Sequence, residues 1–214
     1  MTGVQTCALP ISIRVPHDVA RYLRLGHPWV YREAVGSRPL RDAPGEVVEV
    51  VDGDGELVGR GLFEGDGNIA VRLWTCDEQP LDAKLVIARV ERAVALRQRF
   101  CDFDKLGCLR LINGESDGLP GVAVERYGDY LVAQVFSPAL AAATALRDAL
   151  YDTLMSTLGA KAIYEQRRYR SLGGEAPRQA AAELVRGAVA PVEFEVVEDD
   201  MRFGVDVTAP LSTG

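Results

Sequence analysis

Two carboxylates stand together in Gly114-Glu115-Ser116-Asp117-Gly118-Leu119-Pro120-Gly121. Glu115 and Asp117 in one loop could hold a metal or do acid–base work, as in a small hydrolase. They could equally accept hydrogen bonds from the amides of a tight turn, because Gly, Asp and Pro are turn residues. No His or third carboxylate lies near them in sequence, which favours the turn. The four cysteines, Cys7, Cys76, Cys101 and Cys108, form no CxxC, and the two histidines are far from them. That spacing argues against a structural zinc site. None of the four sits in a context that would activate a thiolate. Asp52-Gly53-Asp54-Gly55-Glu56 invites a calcium-loop reading, but the position that should carry a bidentate Glu is Phe63. Gly59-Arg60-Gly61 lacks the spacing of a nucleotide-binding loop.

The elements around these residues follow from apolar runs and their breakers. Val122 to Tyr127 and Tyr130 to Phe136 flank Gly128-Asp129 and read as a hairpin. Ser137-Pro138 is a cap followed by Pro at the first helical position. The stripe Ala139, Ala143, Leu146, Leu150, Leu154 predicts one helix up to Gly159. Lys161 to Glu165 predicts a short strand beside the hairpin. Glu193 to Val197 and Met201 to Val207 predict a last, acidic hairpin. Upstream, Glu46 to Val51, Glu56 to Phe63 and Asn68 to Trp74 are short strands joined by Gly/Asp turns, which suggests a small barrel. Asp77-Glu78-Gln79-Pro80 breaks the pattern, and Leu81 to Phe100 reads as a helix.

The chain has 214 residues, about half of them apolar, and a formal charge of −7. It is no polycation, yet charge is unevenly placed. Arg14, Arg21, Arg24, Arg32, Arg38 and Arg41 face only Asp18 and Glu33 in that stretch. Within it lies Gly26-His27-Pro28-Trp29-Val30-Tyr31. Arginines pair with phosphate and aromatic rings stack on bases, so this segment is a candidate RNA surface. Trp29 could instead fill a small core. A second basic stretch, Gln166 to Gln179, carries Arg167, Arg168, Arg170 and Arg178 against Glu175 alone. It is a loop that contacts RNA or another domain, or is simply irregular. No apolar run is long enough to span a bilayer.

Arg110 to Asp129, with the Gly-His-Pro-Trp-Val-Tyr segment and the strands around Val58 to Phe63 and Ile69 to Trp74, resembles the S-adenosylmethionine-dependent methyltransferases that modify cytosine C5 in large-subunit (23S) ribosomal RNA. The resemblance covers about Ile13 to Gly214. It implies an α+β chain: an N-terminal PUA-like small β-barrel, then a strand-strand-helix-strand-strand middle domain, with the Rossmann-like methyltransferase domain absent. The implied boundaries are 13–77 for the PUA-like domain, 78–102 for a helical connector and 103–207 for the middle domain. Residues 208–214 would open the missing domain, and residues 1–12 read as a non-native, adapter-derived tail. The implied function is an RNA-binding fragment, itself inactive, that presents ribosomal RNA to a catalytic domain in a cytoplasmic enzyme. S-adenosylmethionine is expected in the full-length parent and no cofactor in this fragment. The candidate RNA-binding residues are Arg14, Arg21, Arg24, His27, Trp29 and Arg32; no catalytic or metal-binding residue is assigned. A protein-interaction module using the acidic turns, or a hydrolase using Glu115 and Asp117, is the alternative.

Overall fold

The computed structural model describes residues 11–35, 43–65, 67–169 and 181–208. Cys7, Arg38, Arg41, most of the basic 166–179 loop and residues 209–214 lie outside them. The chain divides into two compact units, Met1–Leu81 and Asp82–Gly214.

In the first unit, β1 (Ile11–Arg14), α1 (His17–Arg24) and β2 (Trp29–Tyr31) precede β3 (Val47–Val51), β4 (Leu57–Phe63) and β5 (Ile69–Thr75). The five strands form one sheet in the order β1-β3-β4-β5-β2, with β1 parallel to β3 and the other pairs antiparallel. The small barrel expected from three strands is thus corrected to a five-stranded sheet whose edges, β1 and β2, come from the basic N-terminal segment. Alternating residues build its core. Ile13, Val30, Val48, Val50, Val58, Phe63 and Val71 are buried with Ala20 and Leu23 of α1. Each of the Val, Leu, Ile and Phe side chains contributes about 1.5–3 kcal/mol by leaving water. Gly61 sits where β4 passes β5 closely: a Cβ there would lie 2.2 Å from the Arg72 carbonyl oxygen.

The second unit opens with α2 (Ala83–Phe100), capped by Asp82, whose side chain accepts from the Leu85 amide at 3.0 Å. Then come β6 (Cys108–Asn113), a 3-10 turn (Gly114–Asp117), β7 (Val122–Tyr127), β8 (Tyr130–Val135), α3 (Pro138–Ala142), α4 (Thr144–Leu158), β9 (Ala162–Arg167), β10 (Glu183–Gly187), β11 (Phe194–Glu198) and β12 (Met201–Val205). One sheet runs β10-β9-β8-β7-β6, and β11-β12 stand apart as a hairpin. The expected strand-strand-helix-strand-strand order is therefore corrected. β6 precedes the central hairpin because Arg110, Ile112 and Asn113 find antiparallel partners on β7. β10 extends the other edge by pairing with β9. The predicted single helix is broken at Ala143, where ψ turns to 69°. Ser137 caps α3 by accepting from Leu140, and Gly159 ends α4 in the left-handed region at φ 61°.

β8 and β9 are parallel, joined by the α3–α4 crossover. α2 packs against α4. Tyr127, Val132, Ala162 and Tyr164 form a cluster with Val196 and Val205 of the β11-β12 hairpin. No helix among the described residues is long and apolar enough to cross a membrane.

Candidate nucleic-acid interface

The six candidate residues separate into two groups and one isolated residue. β2 is three residues long, and its alternation sends Val30 into the core and Trp29 and Tyr31 outward. Trp29 is half-buried rather than a core residue. Its ring lies edge-on to His27 at 6.0 Å and to Tyr31 at 6.3 Å, and His27 and Tyr31 are 5.8 Å apart. His27 Nδ1 lies 3.0 Å from the Trp29 carbonyl oxygen, which fixes the imidazole beside the strand. Arg72, the register partner of Trp29 on β5, holds its guanidinium 5.6 Å from the Trp29 ring centre. Glu64, 4 % exposed, anchors that guanidinium at 3.0 Å. Arg32 follows directly, with its guanidinium over the Phe63 ring and Nη2 buried without a hydrogen-bond partner. Rings with an accessible outer edge beside a planar cation are what stacking on an unpaired base requires.

Arg14 and Arg24 belong elsewhere, at the β3–β4 turn. Arg14 Nη1 donates to the Gly53 carbonyl. Arg24 Nη2 donates to Asp52 Oδ2 at 2.8 Å, while Asp52 Oδ1 accepts from the amides of Asp54 and Glu56, each at 3.0 Å. The Arg24 guanidinium, aided by those amides against the opposing effect of burial, holds the Asp52 carboxyl below its ordinary pKa. Arg24 is thus committed to shaping the turn. His17, Asp52 and Asp54 bring ligand-type atoms within 4.8 Å of one another. Both Asp52 oxygens are already engaged, and a cation would have to displace the guanidinium. Arg21 is exposed on α1, outside both groups.

Asp117 is a structural carboxylate. Arg97 grips it with two nitrogens at 2.6 and 2.8 Å, and the Asn113 amide donates to it at 2.6 Å. Both its oxygens are occupied in closing the 3-10 turn, which removes it from acid–base work. Cys108 lines a cavity of about 420 Å³ with Arg110, Glu125, Tyr127, Glu198 and Phe203. Burial, and then the Glu198 carboxylate, push its thiol up, the opposite of an activated nucleophile.

Sequence reasoning placed Tyr31 in the candidate segment without naming it among the binding residues, and missed Arg72 and Glu64. The signal for Tyr31 was available: Trp29 and Tyr31 are two apart on a strand and share a face. Arg72 and Glu64 join them only through strand register.

Residues 13–75 match the model of a PUA-like domain. Over 207 residues the chain is 31 % identical to ribosomal RNA large subunit methyltransferase I of Aliivibrio fischeri (strain MJ11), covering 96 % of this chain and 51 % of that protein. With the protein of the same name from Shewanella denitrificans the identity is 34 % over 213 residues, 96 % of this chain and 51 % of the relative. The chain spans about half the length of these curated relatives. A solved structure from Streptococcus mutans, described as a SAM-dependent methyltransferase, superposes with a TM-score of 0.75 at 16 % identity, over 92 % of this chain and 49 % of that one. A second, described as a methyltransferase complexed with SAH, gives 0.78 at 17 % identity, over 94 % and 49 %. The expected fold class, with its Rossmann-like methyltransferase domain absent, is overturned, because chains described as methyltransferases superpose on 92 % and 94 % of this one; its PUA-like part agrees with the match over residues 13–75. The chain carries a PUA-like domain and is similar, over about half their length, to ribosomal RNA large subunit methyltransferases I.

Proposed function

We propose that this chain is the RNA-docking part of an S-adenosylmethionine-dependent methyltransferase acting on cytosine C5 of large-subunit ribosomal RNA. The first unit binds structured RNA. An unpaired base stacks on the Trp29–Tyr31 face, with Arg72 and His27 beside it, while Arg14, Arg21 and Arg32 meet phosphates. Arg24 acts at one remove, by holding the Asp52 turn. The observation that carries this reading is the outward-facing ring trio of His27, Trp29 and Tyr31 with Arg72 over Trp29, inside the PUA-like match. A core role for Trp29 would have turned it inward with Val30.

C5 methylation requires attack on C6 by a thiolate and a base pulled from its stack. The β8–α3 junction, Phe136-Ser137-Pro138, does not fit the cofactor of that reaction. It has no glycine for close backbone approach, the Ser137 hydroxyl is taken by Leu140, and Pro138 has no N–H. Cofactor chemistry is therefore not assigned to this junction. Ultraviolet crosslinking of the chain to a halouridine-labelled fragment of large-subunit ribosomal RNA tests the docking surface. Crosslinks on Trp29, Tyr31 or His27 are expected. Crosslinks confined to the β11–β12 hairpin would refute the assignment.

A further inference from the structure

We infer that the carboxyl end of the parallel pair β8–β9 is a second phosphate-binding site, which takes a backbone phosphodiester of structured RNA. The inference rests on the RNA-docking reading above. In open sheets built with helical crossovers, ligands gather off the carboxyl ends of the parallel strands. β8 and β9 are the parallel pair of this sheet, and β9 ends in Glu165-Gln166-Arg167, with Arg168 next.

A buried carboxylate organises the cluster. Glu165 is 3 % exposed. Its Oε1 accepts from Arg167 Nε at 2.9 Å and its Oε2 from the Tyr151 hydroxyl at 2.8 Å. Arg147 of α4 reaches the same carboxylate at 3.7 Å and donates to the Ala141 carbonyl at 3.0 Å. One acid thus orients two guanidinium groups. Among the described residues Arg167 is bound only through Nε, and half of its side chain faces solvent. Arg168 comes from the opposite face of the strand, where its Nε donates to Gln166 Oε1 at 2.9 Å. Arg147 and Arg167 therefore flank Glu165, whose register partner Glu183 brings a second carboxylate, and Arg168 adds a further cation on the other face of the strand.

Two donors in this cluster are unsatisfied. Arg147 Nε and Arg168 Nη2 are buried and have no hydrogen-bond partner. Folded proteins rarely leave buried N–H groups unpaired. A phosphate off the strand end has enough acceptor oxygens to bind the open nitrogens of Arg167 and to take a donor from a guanidinium on either face of the strand. The planar fork of arginine suits that geometry.

The test uses the full chain, a structured fragment of large-subunit ribosomal RNA and inorganic phosphate. Arg167→Gln/Arg168→Gln should weaken RNA binding about tenfold and lower the slope of log affinity against log salt by about one to two. The Arg147 Nε–H resonance of the unaltered chain should shift on adding inorganic phosphate. If Trp29→Ala weakens binding while the double variant keeps full affinity and slope, the second site is overturned and the first-unit reading stands. If the unaltered chain binds no RNA, both fall. A double variant that does not fold leaves the decision to the resonance: movement with phosphate supports the site, and no movement overturns it.

Discussion

Asp117 shows how a residue that looks catalytic can be structural. Its partner Arg97 is 16 % exposed and Asp117 itself 8 %, so removing either leaves a charge stranded away from water. Asp117→Ala should lower stability by about 3 kcal/mol in denaturant melts. A catalytic carboxylate would instead leave the melt in place. Asp52 gives a pH signature. Its native pKa lies below the ordinary carboxyl value near 4, chiefly through Arg24. The stability it contributes is therefore complete above about pH 4 and is lost as pH falls through the lowered native value. Thermal melts should show this acid limb, and Arg24→Ala should flatten it. Arg24 is for this reason a poor probe of RNA contact, since its alanine variant strands a buried carboxylate. Trp29→Ala, at a half-buried outward position, should reduce RNA affinity about tenfold with little change in the melt. At this scale the sequence was informative where spacing is local. Asp117 lies within a Gly/Pro turn, and Trp29 and Tyr31 alternate along one strand. It was silent on Arg97–Asp117 and Arg72–Glu64, which depend on packing between separate elements.

Among the elements, hairpins and helices with strong local signals lie where their residues predict. Gly128-Asp129 turns β7 into β8, Ser137 caps α3, and Gly159 ends the crossover. β1, β6 and β10 were not legible. β1 is short and half-exposed, and β10 is an edge strand with no buried residue. β6 buries only Leu111 and Ile112, adjacent residues that break alternation where the register shifts. Each is held by its ladder partner more than by its own pattern. The close passage of β4 past β5 supplies a sharp test. In Gly61→Ala the new methyl would meet the Arg72 backbone and the Val71 side chain, both below contact distance. The variant should lose several kcal/mol of first-unit stability, and RNA affinity with it, because Arg72 carries both the pairing and the cation over Trp29. Calorimetric melting together with RNA titration checks both. Ser137→Ala should cost about 1 kcal/mol, the value of an N-cap, and leave RNA binding by the first unit unchanged.

The whole molecule sets a negative net charge against a basic N-terminal segment. Repulsion of phosphate by the chain at large makes binding depend on a few well-placed groups, so affinity should be modest and should fall steeply with salt. The division into a five-stranded sheet unit and a mixed α/β unit was partly legible, because the break at residues 77–80 is a local composition change. The make-up of the second sheet was not, since its order is set by pairings between strands far apart in sequence. The central claim is that the chain docks structured RNA through the outer face of β2. It is tested most directly by titrating a fluorescent fragment of large-subunit ribosomal RNA with the unaltered chain and with Trp29→Ala/Tyr31→Ala, at several salt concentrations, each protein shown to be folded by its melt. Docking at β2 predicts saturable binding whose affinity falls with salt, and a loss of at least about tenfold in the variant. Equal affinity for the two folded proteins, or binding indifferent to salt, would contradict it.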